Sequence, residues 1–516
     1  MSVTQASPTD TDLRRSIAAT LLPGFVGTTL PAWLEERLRN GLGGVCVFGQ
    51  NVESVAQLRA LTDAIYAANP DAIVAIDEEG GDVTRLYYET GSPYPGNAVL
   101  GRLGDVAYTE GIARRVGEEL RAAGVNLDFA PDVDINSNAD NPVIGVRSFG
   151  SLPAVVAEQG AAWTRGLQSA GVAACAKHFP GHGDTAADSH LELPVVDLTP
   201  EELRERELQP FRAVIDAGAR TVMTSHILLP RIDPDLPATF SRTIVEGLLR
   251  GELGFGGVVV TDALDMHGAS GERGIPEAAV LALAAGCDLL CIGTENTDAQ
   301  LAEIEDTIVT AVADGRVAGT RIAEAAGRVL ALAEAVRADG AAHAVAAPGG
   351  AGAVDPADVR RALEAFDISE HAAAWLRAQH GRYSVVRVDT VANIAIGEAP
   401  WGPFAEVAAG ADGAASAFAA NPLLVLTEGD RPDLALAAQS PVLVVGKDNH
   451  RHAFARAAID RLRAERDSVL VVDMGWPSDD RRYADIATFG ASRLVGRALI
   501  ELLDGLIELL DGERTS

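Results

Sequence analysis

Short apolar runs recur along the N-terminal part of the chain, at 20–26, 44–48, 72–76, 125–130, 172–177, 221–224, 258–261 and 288–292. Between them lie longer segments whose apolar residues return every three or four positions, among them 54–68, 153–170, 201–217 and 276–285. Continuous apolar runs suit strands buried on both faces, and the longer period suits amphipathic helices, so the pattern predicts strands and helices in alternation. Eight such units predict an α/β fold of the (β/α)8 TIM-barrel type. A helical stretch at 320–338 ends this region. The Ala- and Gly-rich stretch that follows reads as a linker. Runs at 385–388, 423–426, 441–445 and 469–472, interleaved with helical segments such as 453–463, then predict a smaller αβα sandwich, and 490–510 reads as a closing surface helix. The predicted division is a barrel over 1–340, a linker over 341–355 and a sandwich over 356–516.

Composition narrows the partners. A chain of 516 residues with 47% hydrophobic content can bury two cores. Its net charge of -31 argues against nucleic acid and anionic membranes as partners and leaves a small molecule. Cys46, Cys175, Cys287 and Cys291 all lie in or beside apolar runs, which predicts buried thiols, no metal site and a reducing compartment. Residues 1–12 show no basic segment ahead of an apolar one, and no run has membrane-spanning length, so a cytoplasmic location is expected.

Chemistry concentrates where the apolar runs end. Asp77, Asp132, His178, His226 and Asp262 each stand at such a point, and in a (β/α)8 barrel the strand C-terminal ends carry the active site. The richest stretch is Lys177-His178-Phe179-Pro180-Gly181-His182-Gly183-Asp184, continuing to Asp188-Ser189-His190. In an extended segment Asp188 and His190 project to the same side, so the carboxylate can orient the imidazole as a proton carrier. Asp262 could be a nucleophile or simply a helix N-cap. Acetal cleavage needs one group at the anomeric carbon and one to protonate the leaving oxygen, which the pair Asp262 and His190 could supply. In 75–85, Asp77 and Arg85 flank paired glycines that let backbone approach a ligand. The alternating acids and amides Asp128, Asp132, Asp134, Asn136, Asn138, Asp140 and Asn141 suggest a calcium loop. The glycine and closing glutamate of an EF-hand are missing, so a turn-rich loop presenting Arg147 is the better reading. His450 and His452 could be a metal or substrate pair, but exposed histidines at a helix start are the better reading.

These motifs resemble the β-N-acetylglucosaminidase branch of glycoside hydrolase family three. The KHFPGHG loop with its D-S-H, the D-x-E-G-G…R motif, the N-x-D-F-A-P…R-S-F-G segment, the M-T-S-H run and the T-D-A-L-x-M run occur in that branch's order over roughly 20–335. The resemblance implies Asp262 as nucleophile, His190 as general acid/base and Asp188 as its orienting partner. It further implies that Asp77, Arg85, Arg147, Lys177 and His178 bind N-acetylglucosamine, with His226 and Met266 lining the pocket. Glu78 stands where Gln is frequent and Asp82 where a basic residue often stands. The implied reaction is retaining removal of terminal β-linked N-acetylglucosamine from a muropeptide or chito-oligosaccharide, without cofactor. Two enzymatic alternatives stay open. A neutral histidine would not repel inorganic phosphate, which could make the chain a phosphorylase; or His178, His182, His190 and Asp188 could hold a metal in a barrel hydrolase. A sugar-binding protein without turnover is the non-enzymatic alternative.

Overall fold

Each of the eight N-terminal apolar runs contains a strand. The strands are β1 (Leu21–Leu22), β2 (Gly44–Val47), β3 (Ile73–Ile76), β4 (Leu127–Asp128), β5 (Ala173–Phe179), β6 (Thr221–Thr224), β7 (Val258–Thr261) and β8 (Leu290–Cys291). A computed structural model describes residues 10–185, 193–342, 352–378, 382–410, 416–429 and 440–505. The chain divides into two compact units, the first comprising Met1–Glu79, Asp105–Ser137 and Ser151–Ala351, the second Gly80–Gly104, Asn138–Gly150 and Gly352–Ser516. The sequence places 80–104 and 138–150 in the first domain, whereas the structure groups them with the second. Both stretches are loop-rich excursions after strand ends, and hydrophobic periodicity does not report where an excursion packs.

In the first unit β2 to β7 form one parallel sheet in chain order. β1 pairs with β8 in parallel, Leu289 donates its amide to Val259 at 3.1 Å, and Cys46 donates to Pro23 at 2.9 Å, which closes the ring. Alternate residues such as Ile73 and Ala75, Ala173 and Cys175, and Val258 and Val260 share one buried cluster in the barrel interior. Their neighbours Val74, Ala174 and Val259 are equally buried, which is why the runs read as continuous rather than alternating. The helix Gly319–Ala342 adds Val329, Leu332, Ala333 and Val336 to that interior cluster. All four cysteines are buried and free, and burial pushes the Cys175 and Cys287 thiols up to about 12.

The helix expected at 201–217 is two helices, Pro200–Glu205 and Leu208–Asp216. The break falls at Arg206 and Glu207, where the Glu207 side chain turns inward and is buried.

In the second unit six strands form one sheet, β9 (Asp367–Ile368), β10 (Ser384–Asp389), β11 (Leu423–Thr427), β12 (Val442–Gly446), β13 (Val469–Asp473) and β14 (Ile486–Ala487), in the order β11-β10-β12-β13-β14-β9 with only β9 antiparallel. Val385, Leu443, Val445, Leu470 and Val472 join one core cluster and Val386, Val388, Val442, Val444, Val469 and Val471 another, so the pleat divides the sheet between two helical layers. β9 and β14 escape the sequence because two residues leave no period. The closing helix runs over Arg493–Leu503 and is buried nearly all round, a core element rather than the expected surface helix. Asp82 accepts the Ala491 amide at 2.7 Å and thereby anchors the turn leading into it. Among the described residues no helix is long and apolar enough to cross a membrane.

Candidate active site

β5 carries Lys177 and His178 to the C-terminal end of the barrel, with a register shift against β6 between Ala176 and Phe179. The Lys177 ammonium is 2% exposed and lies 2.6 Å from Asp77 Oδ1 and 2.8 Å from Glu79 Oε1. A buried cation is tolerable only with such partners. Asp77, one-fifth exposed at the end of β3, keeps contact with solvent. The turn after β3 is anchored from below by Asp128, whose Oδ1 accepts the Glu78 amide at 2.9 Å. Burial pushes the Asp128 carboxyl well above the usual carboxylate range.

Asp134 organises the loop after β5. Its Oδ2 lies 2.6 Å from His178 Nδ1 and its Oδ1 accepts the His182 amide at 2.6 Å. Burial works against its charge, yet the facing His178 ring, with help from His182, takes its carboxyl below the ordinary range. Gly183 packs against the Ile135 carbonyl so closely that a Cβ would collide with it. Gly181, at φ +129°, packs against the Glu207 side chain. His182 is buried, with Nδ1 3.0 Å from Thr185 Oγ1. Burial pulls its imidazole down to about 4, so the ring is neutral at physiological pH. Arg206 ties the loop from outside, with Nη2 2.5 Å from Asp184 Oδ2 and Nε 2.6 Å from Glu207 Oε1.

Asp262 follows β7 and is half-buried. Its amide donates to the Thr224 carbonyl at 3.2 Å, and its Oδ1 accepts the Ala263 amide at 2.8 Å. It does not cap the helix His267–Ser270, whose N-cap is Met266. His226, fully buried after β6, places Nε2 3.1 Å from the Ala263 carbonyl and Nδ1 2.9 Å from Thr239 Oγ1. A carbonyl only accepts, so Nε2 carries the proton and the ring holds the turn bearing Asp262. Met266 is buried one turn beyond.

The first unit thus gathers Asp77, Lys177, His178, His226, Asp262 and Met266 at the C-terminal ends of β3 to β7. Arg85 and Arg147 belong to the second unit, Arg85 donating to the Ala395 and Ile396 carbonyls at 2.6 and 3.2 Å and Arg147 to the Val143 carbonyl at 3.3 Å. Asp188 and His190 lie outside the described residues. The sequence missed Glu79, Asp134, Arg206 and Glu207 as site-building residues. The charge that pairs with Lys177 comes from a strand one hundred residues away in the chain, and no local pattern signals that.

Ligand-type atoms of Asp132, Asp134 and His178 all lie within 4.8 Å of one another. The 2.6 Å contact already satisfies Asp134 Oδ2 and His178 Nδ1 with each other, which leaves a hydrogen-bonded pair rather than an open cation cage.

A sequence model of the glycosyl hydrolase family 3 N-terminal domain matches residues 30–332, a span that holds Asp77, Lys177, His178, His226, Asp262 and Met266. The chain belongs to glycosyl hydrolase family 3. This family 3 chain is 41% identical over 285 residues to beta-hexosaminidase A of Pseudoalteromonas piscicida, covering 51% of this chain but only 48% of that relative. It is 41% identical over 299 residues to a beta-hexosaminidase of Alkalilimnicola ehrlichii, covering 55% of this chain and 84% of the relative. Among solved structures it is similar to a glycoside hydrolase family 3 beta-N-acetylglucosaminidase from Paenibacillus sp. str. FPU-7, with a TM-score of 0.82, 32% identity, and coverage of 96% of this chain and 97% of that one.

Proposed function

We propose that this family 3 chain is a retaining exo-β-N-acetylglucosaminidase. The observation that carries the reading is Asp262, a half-buried carboxylate whose Oδ1 accepts the Ala263 amide at the end of β7, with Lys177, His178 and Asp77 at the ends of β5 and β3 in the same sheet. The beta-hexosaminidase relatives and the beta-N-acetylglucosaminidase structure support it. Asp262 attacks the anomeric carbon and the C–O bond to the leaving group breaks. His190, oriented by Asp188, delivers its proton to that oxygen. Water then enters, His190 takes a proton from it, and the ester to Asp262 breaks, so the β configuration is restored. Asp77, Lys177 and His178 bind sugar hydroxyls, and Met266 lines the pocket. His226 acts through the Ala263 carbonyl as a positioning residue. The substrate is a muropeptide or chito-oligosaccharide with a terminal β-linked N-acetylglucosamine, and the four free thiols suit a cytoplasmic setting.

The test is azide rescue with 4-nitrophenyl N-acetyl-β-glucosaminide. Asp262→Ala should lose turnover by at least about a thousandfold, and azide should restore phenolate release with an α-glycosyl azide as product. A β-azide from this variant, or turnover close to the parent's, would overturn the nucleophile assignment.

A further inference from the structure

At the N-terminal ends of the barrel strands, away from the site above, the first unit holds a cavity of about 230 Å³ lined by Arg59, Tyr66, Arg121, Asn126, Val336 and Arg337, with Pro70, Gly124 and Ala333 completing the wall. Three guanidinium groups around one cavity are unexpected on a chain with a net charge of -31. Two of them have carboxylate partners. Arg59 pairs with Asp63 at 2.6 Å, and Arg337 Nε lies 3.2 Å from Asp71 Oδ1 without the geometry of a hydrogen bond.

Arg121 differs. Its Nε is buried with no hydrogen-bond partner, and among the described residues no carboxylate pairs with it. The nearby Asp339 is already bound to Arg220. Burial, reinforced by the charge of Arg59, draws the Arg121 guanidinium below its ordinary range, as expected for a cation short of a counter-ion. The stretch 343–351 that follows the helix Gly319–Ala342 contains no Asp or Glu, so it has no carboxylate to offer. The planar forks of arginine match a phosphate geometrically, and Tyr66, whose hydroxyl donates to the Gly124 carbonyl at 2.8 Å, closes one wall. The volume is several times the ~30 Å³ of one water molecule, leaving room for a small organic remainder against Pro70, Ala333 and Val336.

We propose that this cavity binds a small phosphate monoester, its phosphate on Arg121 and Arg337 and its organic part against the apolar wall, at a site separate from the one at the strand C-terminal ends.

The test is calorimetric titration of the full chain with inorganic phosphate, glycerol 2-phosphate and, as the uncharged control, glycerol. Both phosphates should bind and raise the melting temperature, glycerol 2-phosphate more tightly, while glycerol does neither. Arg121→Gln should weaken binding about tenfold or more with hydrolysis of the aryl glycoside unchanged. If Arg121→Gln does not fold, Arg337→Gln on the exposed rim decides, with a smaller loss expected. Absence of binding by both phosphates, or affinities unchanged in the variants that fold, would overturn the proposal; the azide experiment on Asp262 is unaffected by either result.

Discussion

Lys177 shows how a single residue's role depends on what folding brings to it. An ammonium at 2% exposure is stable only because Asp77 and Glu79 face it, and the pair of carboxylates is stable only because of the ammonium. Lys177→Met should therefore cost about 3 kcal/mol, near the lower end for breaking a buried pair because Asp77 retains some solvent. Urea denaturation checks this, and an unchanged midpoint would show that the carboxylates do not need the charge. Lys177 and His178 were legible in the chain as part of a dense motif. Their partners were not: Glu79 and Asp134 look like any loop acid until β3 and β4 lie beside β5.

At the scale of the element, the loop after β5 is shaped by what crowds it. Gly183 has no room for a Cβ against the Ile135 carbonyl, so Gly183→Ala must displace a segment that leads into Asp188 and His190. Such a shift should lower kcat/KM by about a hundredfold and lower the melting temperature as well, because the clash is with backbone. A lower melting temperature with kcat/KM unchanged would point to a purely structural glycine. Glu207, which breaks the expected helix over 201–217, packs beneath the same loop. Burial raises its carboxyl from 4.5 to about 7, against the pull of Arg206. Between those two values the native state holds a proton that the unfolded state has released. Stability from this group is thus present below about pH 4.5, falls as the pH rises to about 7 and is level above that. Glu207→Gln should remove that slope in denaturation series run across the range, and an identical slope in both proteins would assign it to other groups.

For the whole molecule, water rather than phosphate should be the acceptor in bulk solution. Product analysis with the aryl glycoside should give free N-acetylglucosamine at a rate unchanged by 10 mM phosphate-scale additions of acceptor, on the order of the concentrations at which weak anions bind. The same rate should persist after exhaustive chelation, since the Asp134 and His178 atoms satisfy each other. Accumulation of the 1-phosphate would make the chain a phosphorylase, and loss of activity restored by zinc would return the metal-dependent alternative.

The runs of Val, Ile, Leu and Ala marked the eight barrel strands and their parallel arrangement, because burial on both faces demands an unbroken apolar run and leaves that mark in the chain. They also placed Asp77, His178, His226 and Asp262 at strand ends, where a barrel assembles its site. Nothing in that pattern could pair Lys177 with Glu79, set Asp134 beneath His178, turn Glu207 inward or group 80–104 and 138–150 with the second unit. Periodicity records whether a side chain is buried, whereas charge pairing and loop packing depend on which distant residue arrives opposite it. That is decided when the strands close into a ring, and the same closure leaves Arg121 with a buried, unpartnered Nε and a cavity beside it.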